Sequence, residues 1–435
     1  MSLLLKRIRK FASMKRYTIL LLLQFIFLLN ISGQYSSVLA QGNWYRIATN
    51  KSGVYKLSYS SMKALGLELG NVQCSDLKLY GNGGGMLPKL NSDFRYDDLV
   101  ENAIKVHDFN NNGIFESNDY ILFFGQSPDL WVFNEATNLF EHEVHLFADE
   151  VNYFITIDNQ SQAKRIEEKP ILQGATKTIT SFNAFSFHES EFENLIQSGK
   201  EWFGERFDSQ SNHSFSFSFP NLLQSIPVTI KTAVVARSLA PSVFTVSANS
   251  TVLNTISVNN IVTTYATEYA KTASRTTNFN ALSSDLKIAI DYSSSDNGAS
   301  AWLNYIEINA RRSLRMSGSA MLFRDAELMT NEVATYQLEN ATSEITIWDV
   351  SNGTAVTEVP TTLNGSTLSF NDSINDLHEY LAFNGTSYLT PILKGSVDNQ
   401  NLHNTSSDIE YVIVSHPNFL SAAERLAAFH TRQDN

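Results

Sequence analysis

Ser214-Phe215-Ser216-Phe217-Ser218-Phe219 has the side-chain alternation of a β-strand. Three phenylalanines alternate with three serines, the period of two that puts one row of side chains in a core and the other in water. A helix would scatter the same rings around its axis. Outward from it, 228–236, 243–248, 286–292 and 302–309 are further short runs rich in Val, Ile and Ala. Their spacing is that of a sandwich. Segment 209–315 is therefore expected to be a β-sandwich domain.

The flanks continue the pattern. In 41–170, Asn43 to Ile47 and Val54 to Tyr59 are alternating strands around a Lys51-Ser52-Gly53 turn, and 60–67 is a short helix closed by Gly66. Segment 171–208 is expected to be a connector. In 316–405, Asn352-Gly353 and Asn364-Gly365 each sit between alternating runs, the strongest short-range hairpin signal. The texture then changes. Ile409 to Val414 is a buried-type apolar run, and 419–430 carries Leu420, Ala423, Leu426, Ala427 and His430 at helical spacing. One strand and one helix cannot cover each other's apolar faces alone. The expected class is mainly β, with several β-sandwich-like domains in tandem. The first strand and helix of a truncated α/β domain follow at 406–435.

Composition narrows the function. A net charge of -12 argues against nucleic acid, whose partners carry a basic face. Lys15-Arg16, the apolar run from Ile19 to Leu29 and Val38-Leu39-Ala40 form the three parts of a secretory leader over 1–40, with Met14 an alternative start. No later segment is apolar enough to span a bilayer, so the matured chain is expected to have no transmembrane span. Cys74 is the single cysteine, so no intrachain disulfide can form.

One motif carries chemistry. Asp108-Phe109-Asn110-Asn111-Asn112-Gly113-Ile114-Phe115-Glu116-Ser117-Asn118-Asp119 has the twelve-residue pattern of a calcium loop. Asp108, Asn110 and Asn112 supply oxygens at the first, third and fifth positions. Ile114 offers its carbonyl, Glu116 a water-mediated contact, and Asp119 closes the loop. Gly113 stands where the chain must turn sharply. Asp in place of the usual closing Glu, together with two neutral amides, points to weak structural Ca2+ binding, about 10⁻⁴–10⁻³ M. The alternative is a metal-free turn between strands. Asn82-Gly83-Gly84-Gly85 lacks the Lys-Ser/Thr ending of a phosphate loop and reads as a turn. His142-Glu143-Val144-His145 lacks zinc spacing and reads as surface histidines on opposite strand faces.

Five stretches then combine. Trp44-Tyr45-Arg46-Ile47 with Gly53 to Leu57, Asp98 to Ala103, Asp119 to Phe124, Ser198 to Glu205, and Tyr411 to Val414 together resemble the N-terminal half of type IX secretion system sortases, gingipain-type cysteine peptidases. Glu201-Trp202-Phe203-Gly204-Glu205 and the 98–124 block are the more specific parts. The resemblance implies that 406–435 opens a caspase-like peptidase domain. It also implies an outer-membrane-associated surface protein of a Gram-negative bacterium. Its partners would be secreted cargo proteins with C-terminal sorting signals and other surface subunits of the secretion system. The full family removes those signals and attaches the cargo to lipopolysaccharide. No residue here matches the family's catalytic His and Cys, so no catalytic residue is assigned and the chain alone is expected to be inactive. The competing reading is a self-contained surface adhesin or carbohydrate-binding β-sandwich protein.

Overall fold

A computed structural model describes residues 36–197, 200–208, 210–264, 268–404 and 409–433. The leader expected over 1–40 lies outside them up to residue 35. So do Ser198, Gly199 and residues 405–408. The chain divides into a large unit, Asn43–Val397, and a second unit made of Met1–Gly42 with Asp398–Asn435.

The large unit is almost entirely β. Its spine is one nine-stranded sheet. Lys271–Phe279, Val228–Arg237, Ser300–Ser313 and Ser181–Glu189 lead across it, and Ala320–Arg324, Glu379–Phe383, Thr346–Asp349 and Thr357–Glu358 continue it. The short Arg206–Phe207 strand pairs with Ser300–Ser313. Two four-stranded sheets accompany the spine. Asn212–Ser218, Asp285–Ser294, Ser242–Ala248 and Thr251–Val258 form one. Lys177–Ile179, Val333–Glu339, Thr367–Ser373 and Thr362–Asn364 form the other.

A single hydrophobic core runs under all three sheets. It joins Phe217, Phe244 and Ile288 of the first small sheet to Val234, Leu303 and Ile308 of the spine, and on to Phe323, Tyr336 and Phe370. Phe217 and Phe219 are buried and Ser214, Ser216 and Ser218 exposed, as the alternation requires.

The spine crosses the boundary expected near 315, and Ser181–Glu189, expected in a connector, lies inside it. The physical reason is the length of Ser300–Ser313. Its fourteen residues pair with Val228–Arg237 on one edge and Ser181–Glu189 on the other. Ala320–Arg324 then pairs onward with Glu379–Phe383.

The N-terminal part holds a five-stranded and a three-stranded sheet. Its core includes Ile47, Leu57, Leu79, Phe115 and Phe123. The helix Tyr59–Leu65 starts where Ser58 accepts the Ser61 N–H and stops at Gly66, whose φ of 102° suits glycine. Ile392–Val397 returns to pair with Trp44–Thr49, far from it in sequence. Val54, Leu122 and Phe124 pack with Trp348, Leu381 and Phe383, tying this part to the spine.

In the second unit, Asn399 Nδ2 and the Gln400 N–H donate to the Leu39 carbonyl. The helix expected over 419–430 is present as Leu420–Gln433, preceded by a tight turn at Pro417–Phe419. The strand expected at Tyr411 to Val414 is not formed. These residues have no ladder partner among the described residues, and Tyr411, Val412 and Val414 are exposed. No helix among the described residues is long and apolar enough to cross a membrane.

Candidate metal centre and buried ion clusters

The 108–119 loop connects two paired strands, Lys105–His107 and Tyr120–Gly125. It curls through its own oxygens. Asp108 Oδ2 accepts the Gly113 N–H at 2.6 Å, the link that draws the sixth position over the first. Gly113 has a φ of 79°, where a side chain would strain the turn. Asn112 Oδ1 accepts the Ile114 N–H at 2.7 Å. Asn110 and Asn112 both turn their amide nitrogens to Glu116 Oε2, at 2.8 and 3.3 Å. Buried Asp119 accepts the Phe109 N–H on one oxygen and the Glu116 N–H on the other.

The first-position carboxylate offers a direct test of fit. Asp108 Oδ1 is buried and has no hydrogen-bond partner among the described residues. A buried carboxylate oxygen left unmatched is costly, and a hard cation is one partner that would satisfy it. Asp108, Asn110, Asn112 and Glu116 share one loop, in which the two side-chain amide nitrogens face Glu116. Asp119 closes the loop, each of its oxygens accepting one backbone N–H and keeping a second lone pair.

Cys74 lies close enough to feel these charges. Burial pushes its thiol up, and Asp108 and Asp119 add to the rise, to about 11. It is a protonated thiol at neutral pH.

His142 is where the sequence reading fails. Expected on the surface, it is enclosed, with its side chain 5% exposed. Its Nδ1 lies 2.7 Å from Glu307 Oε1, and its Nε2 is bonded to Glu189. The Phe187 ring stacks on it at 4.3 Å. Lys231 completes the cluster, 3.3 Å from Glu307 and 3.5 Å from Glu141. Burial alone would lower the imidazole's pKa, but the bonds to Glu189 and Glu307 overcome it and raise it to about 9. Glu307 is held below the ordinary carboxylate range despite its burial, by His142 and then Lys231. The local alternation His142-Glu143-Val144 carried no sign of this. The partners lie in strands 47 and 165 residues away.

A second cluster gathers Asp349, Asp372 and His378 within ligand distance of one another. Lys169 Nζ already sits between the two carboxylates, 2.7 Å from Asp349 and 2.5 Å from Asp372. Tyr380 donates to Asp372 at 2.9 Å. The lysine ammonium takes the place a metal would occupy.

With this architecture established, known proteins supply a comparison. Latent dimeric PorU of Porphyromonas gingivalis superposes with a TM-score of 0.74 over 92% of this chain, at 23% identity. The chain shares the fold of PorU. It spans 37% of the length of the PorU chain. The carbohydrate-binding module CBM36, solved with calcium and xylotriose, gives a TM-score of 0.20. The δ-endotoxin Cry8Ea1 of Bacillus thuringiensis gives 0.21. Neither value reflects a common architecture. No family profile and no curated protein sequence matches the chain.

Proposed function

We propose that this chain is the exported, non-catalytic β portion of a type IX secretion sortase. The observation that carries the reading is the PorU fold across 92% of the chain. The sequence stretches at 44–57, 98–124 and 201–205 support it, lying in the family's order. In this role the β domains sit at the cell surface of a Gram-negative bacterium. They hold a peptidase–transpeptidase domain near cargo proteins with C-terminal sorting signals and near other subunits of the secretion system. Cys74, a protonated thiol, is no candidate for the catalytic nucleophile.

The test has two arms. Deleting the gene in its host should leave secreted cargo with its sorting signals uncleaved and unattached to the surface. The purified 435-residue chain should not cleave a sorting-signal peptide, and Cys74→Ala should change nothing. Mature, surface-attached cargo in the deletion strain would overturn the proposal.

We also propose that Asp108, Asn110, Asn112, Glu116, Asp119 and the Ile114 carbonyl hold a structural Ca2+. Support comes from the unmatched Asp108 Oδ1 and the Gly113 turn. Bound there, the ion would add positive charge to a loop whose oxygens otherwise accept the loop's own N–H groups. Oxygen ligation of this kind has no catalytic step.

A further inference from the structure

A cavity of about 340 Å³ opens beside His142 on the long sheet. Its walls come from Leu139–Glu143, Ser181–Glu189, Val228–Arg237 and Ser300–Ser313, with residues 200–202 at the rim. The rim contains the start of the Glu201-Trp202-Phe203-Gly204-Glu205 stretch. Three of those five residues have a packing reason to be there. Phe203 is buried against Val235 and Trp302. Gly204 donates its N–H to the Leu303 carbonyl at 2.8 Å, and a Cβ on it would meet the Ser190 carbonyl at 3.0 Å. Glu205 pairs with His188 at 2.9 Å.

Glu201 and Trp202 are exposed. Trp202 is 42% exposed and lines the cavity. Glu201 lines it too, with one oxygen 3.3 Å from Asn304 Nδ2. A half-exposed indole beside a carboxylate, in a segment that borders a large sheet, can contact something outside the chain.

Charge selects the ligand. Protonated His142 is held between Glu189 and Glu307, and Lys231 serves Glu307 and Glu141. That leaves Glu191 and Glu201 facing the opening with Lys200. The lining as a whole has five carboxylates against three cationic groups, a net of two negative charges. The Glu191 carboxyl is pushed above its ordinary value by partial burial, then by Glu189 and Glu201. This corner is short of positive charge, and an anionic ligand would worsen the repulsion.

We propose that the cavity binds the ammonium or guanidinium group of a Lys or Arg side chain on an extended polypeptide. The charge sits between Glu191 and Glu201, and the methylenes lie on the Trp202 face. The volume suits one such side chain with its water. The inference does not depend on the sortase reading.

The experiment is an NMR titration of the full chain labelled with 5-fluorotryptophan, the Trp202 resonance being assigned with Trp202→Phe. The probe is acetyl-Gly-Lys-Gly-amide. Two further titrants are the same peptide with Nε-acetyl-lysine, which keeps the length and removes the charge, and xylotriose. The Trp202 signal should move saturably with the lysine peptide and little with either other titrant. Glu191→Gln and Glu201→Gln, both at exposed positions, should each weaken binding roughly threefold to fivefold, as expected for a part-solvated ion pair. An equal response to the acetylated peptide, a response only to the saccharide, or no response at all would each overturn the proposal.

Discussion

Leu130–Asn134 and Leu139–Glu143 pair as a hairpin, and raising the pH through 9 should loosen it from the nine-stranded sheet by removing one proton. His142 sits on the Leu139–Glu143 strand, and its partners Glu189 and Glu307 sit on two strands of the spine. Its folded pKa of about 9 lies above the ordinary 6.5. A group raised on folding stabilises the fold fully below its unfolded pKa. That contribution is lost as pH rises through the folded pKa. The window is therefore about 6.5 to about 9. Lys231 and Tyr305 are shifted upward and Glu307 downward, each away from the window. At about 1.4 kcal/mol per pH decade the rise corresponds to roughly 3 kcal/mol. Urea unfolding, followed by intrinsic fluorescence from about pH 6 to about pH 10, reads it directly. Wild type should lose roughly 3 kcal/mol across the range. His142→Gln should start lower by a similar amount, because Glu189 and Glu307 lose their cation, and should lose roughly 3 kcal/mol less than wild type across the range, any remaining slope belonging to groups such as His378, also raised by Asp349. Parallel curves for the two proteins would refute the reasoning, since the slope would then belong to other groups.

Three further outcomes are expected. Calcium at about a hundredfold over its dissociation constant should add roughly 2.7 kcal/mol. Asp108→Ala should abolish that gain, and equal melting midpoints in calcium and in chelator would make the 108–119 segment a plain turn. Gly84→Ala should cost roughly 1–3 kcal/mol, because its Cβ would fall 2.0 Å from the Ser127 carbonyl oxygen, which is backbone and cannot swing aside; an unchanged urea midpoint would show that the loop yields freely. Amide exchange should be fast at Val412 and Val414, which are exposed and unpaired among the described residues, and slow over Val228–Arg237 at the centre of the spine. Strong protection at 412–414 would mean that this run has found a strand partner.

Local pattern was enough for the elements with local causes. The Ser-Phe alternation at 214–219, the Asn364-Gly365 hairpin, the Ser58 and Gly66 caps and the Gly113 turn depend on residues within a few positions of one another. The sequence alone could therefore specify strands, one short helix and the curl of the 108–119 loop.

How the sheets join and where the charges meet depends on contacts between distant segments. Ser300–Ser313 extends one sheet across segments that read as separate domains, and Ile392–Val397 closes onto Trp44–Thr49. His142 meets Glu307, and Lys169 meets Asp349 and Asp372, over separations of 165, 180 and 203 residues. Strand pairing and ion pairing are set by register between distant segments, and a period-two pattern reports which face a side chain takes but not which strand lies beside it. For Glu201 and Trp202 the sequence could mark a distinctive stretch. That they border an acidic cavity follows from three strands of the sheet beside it.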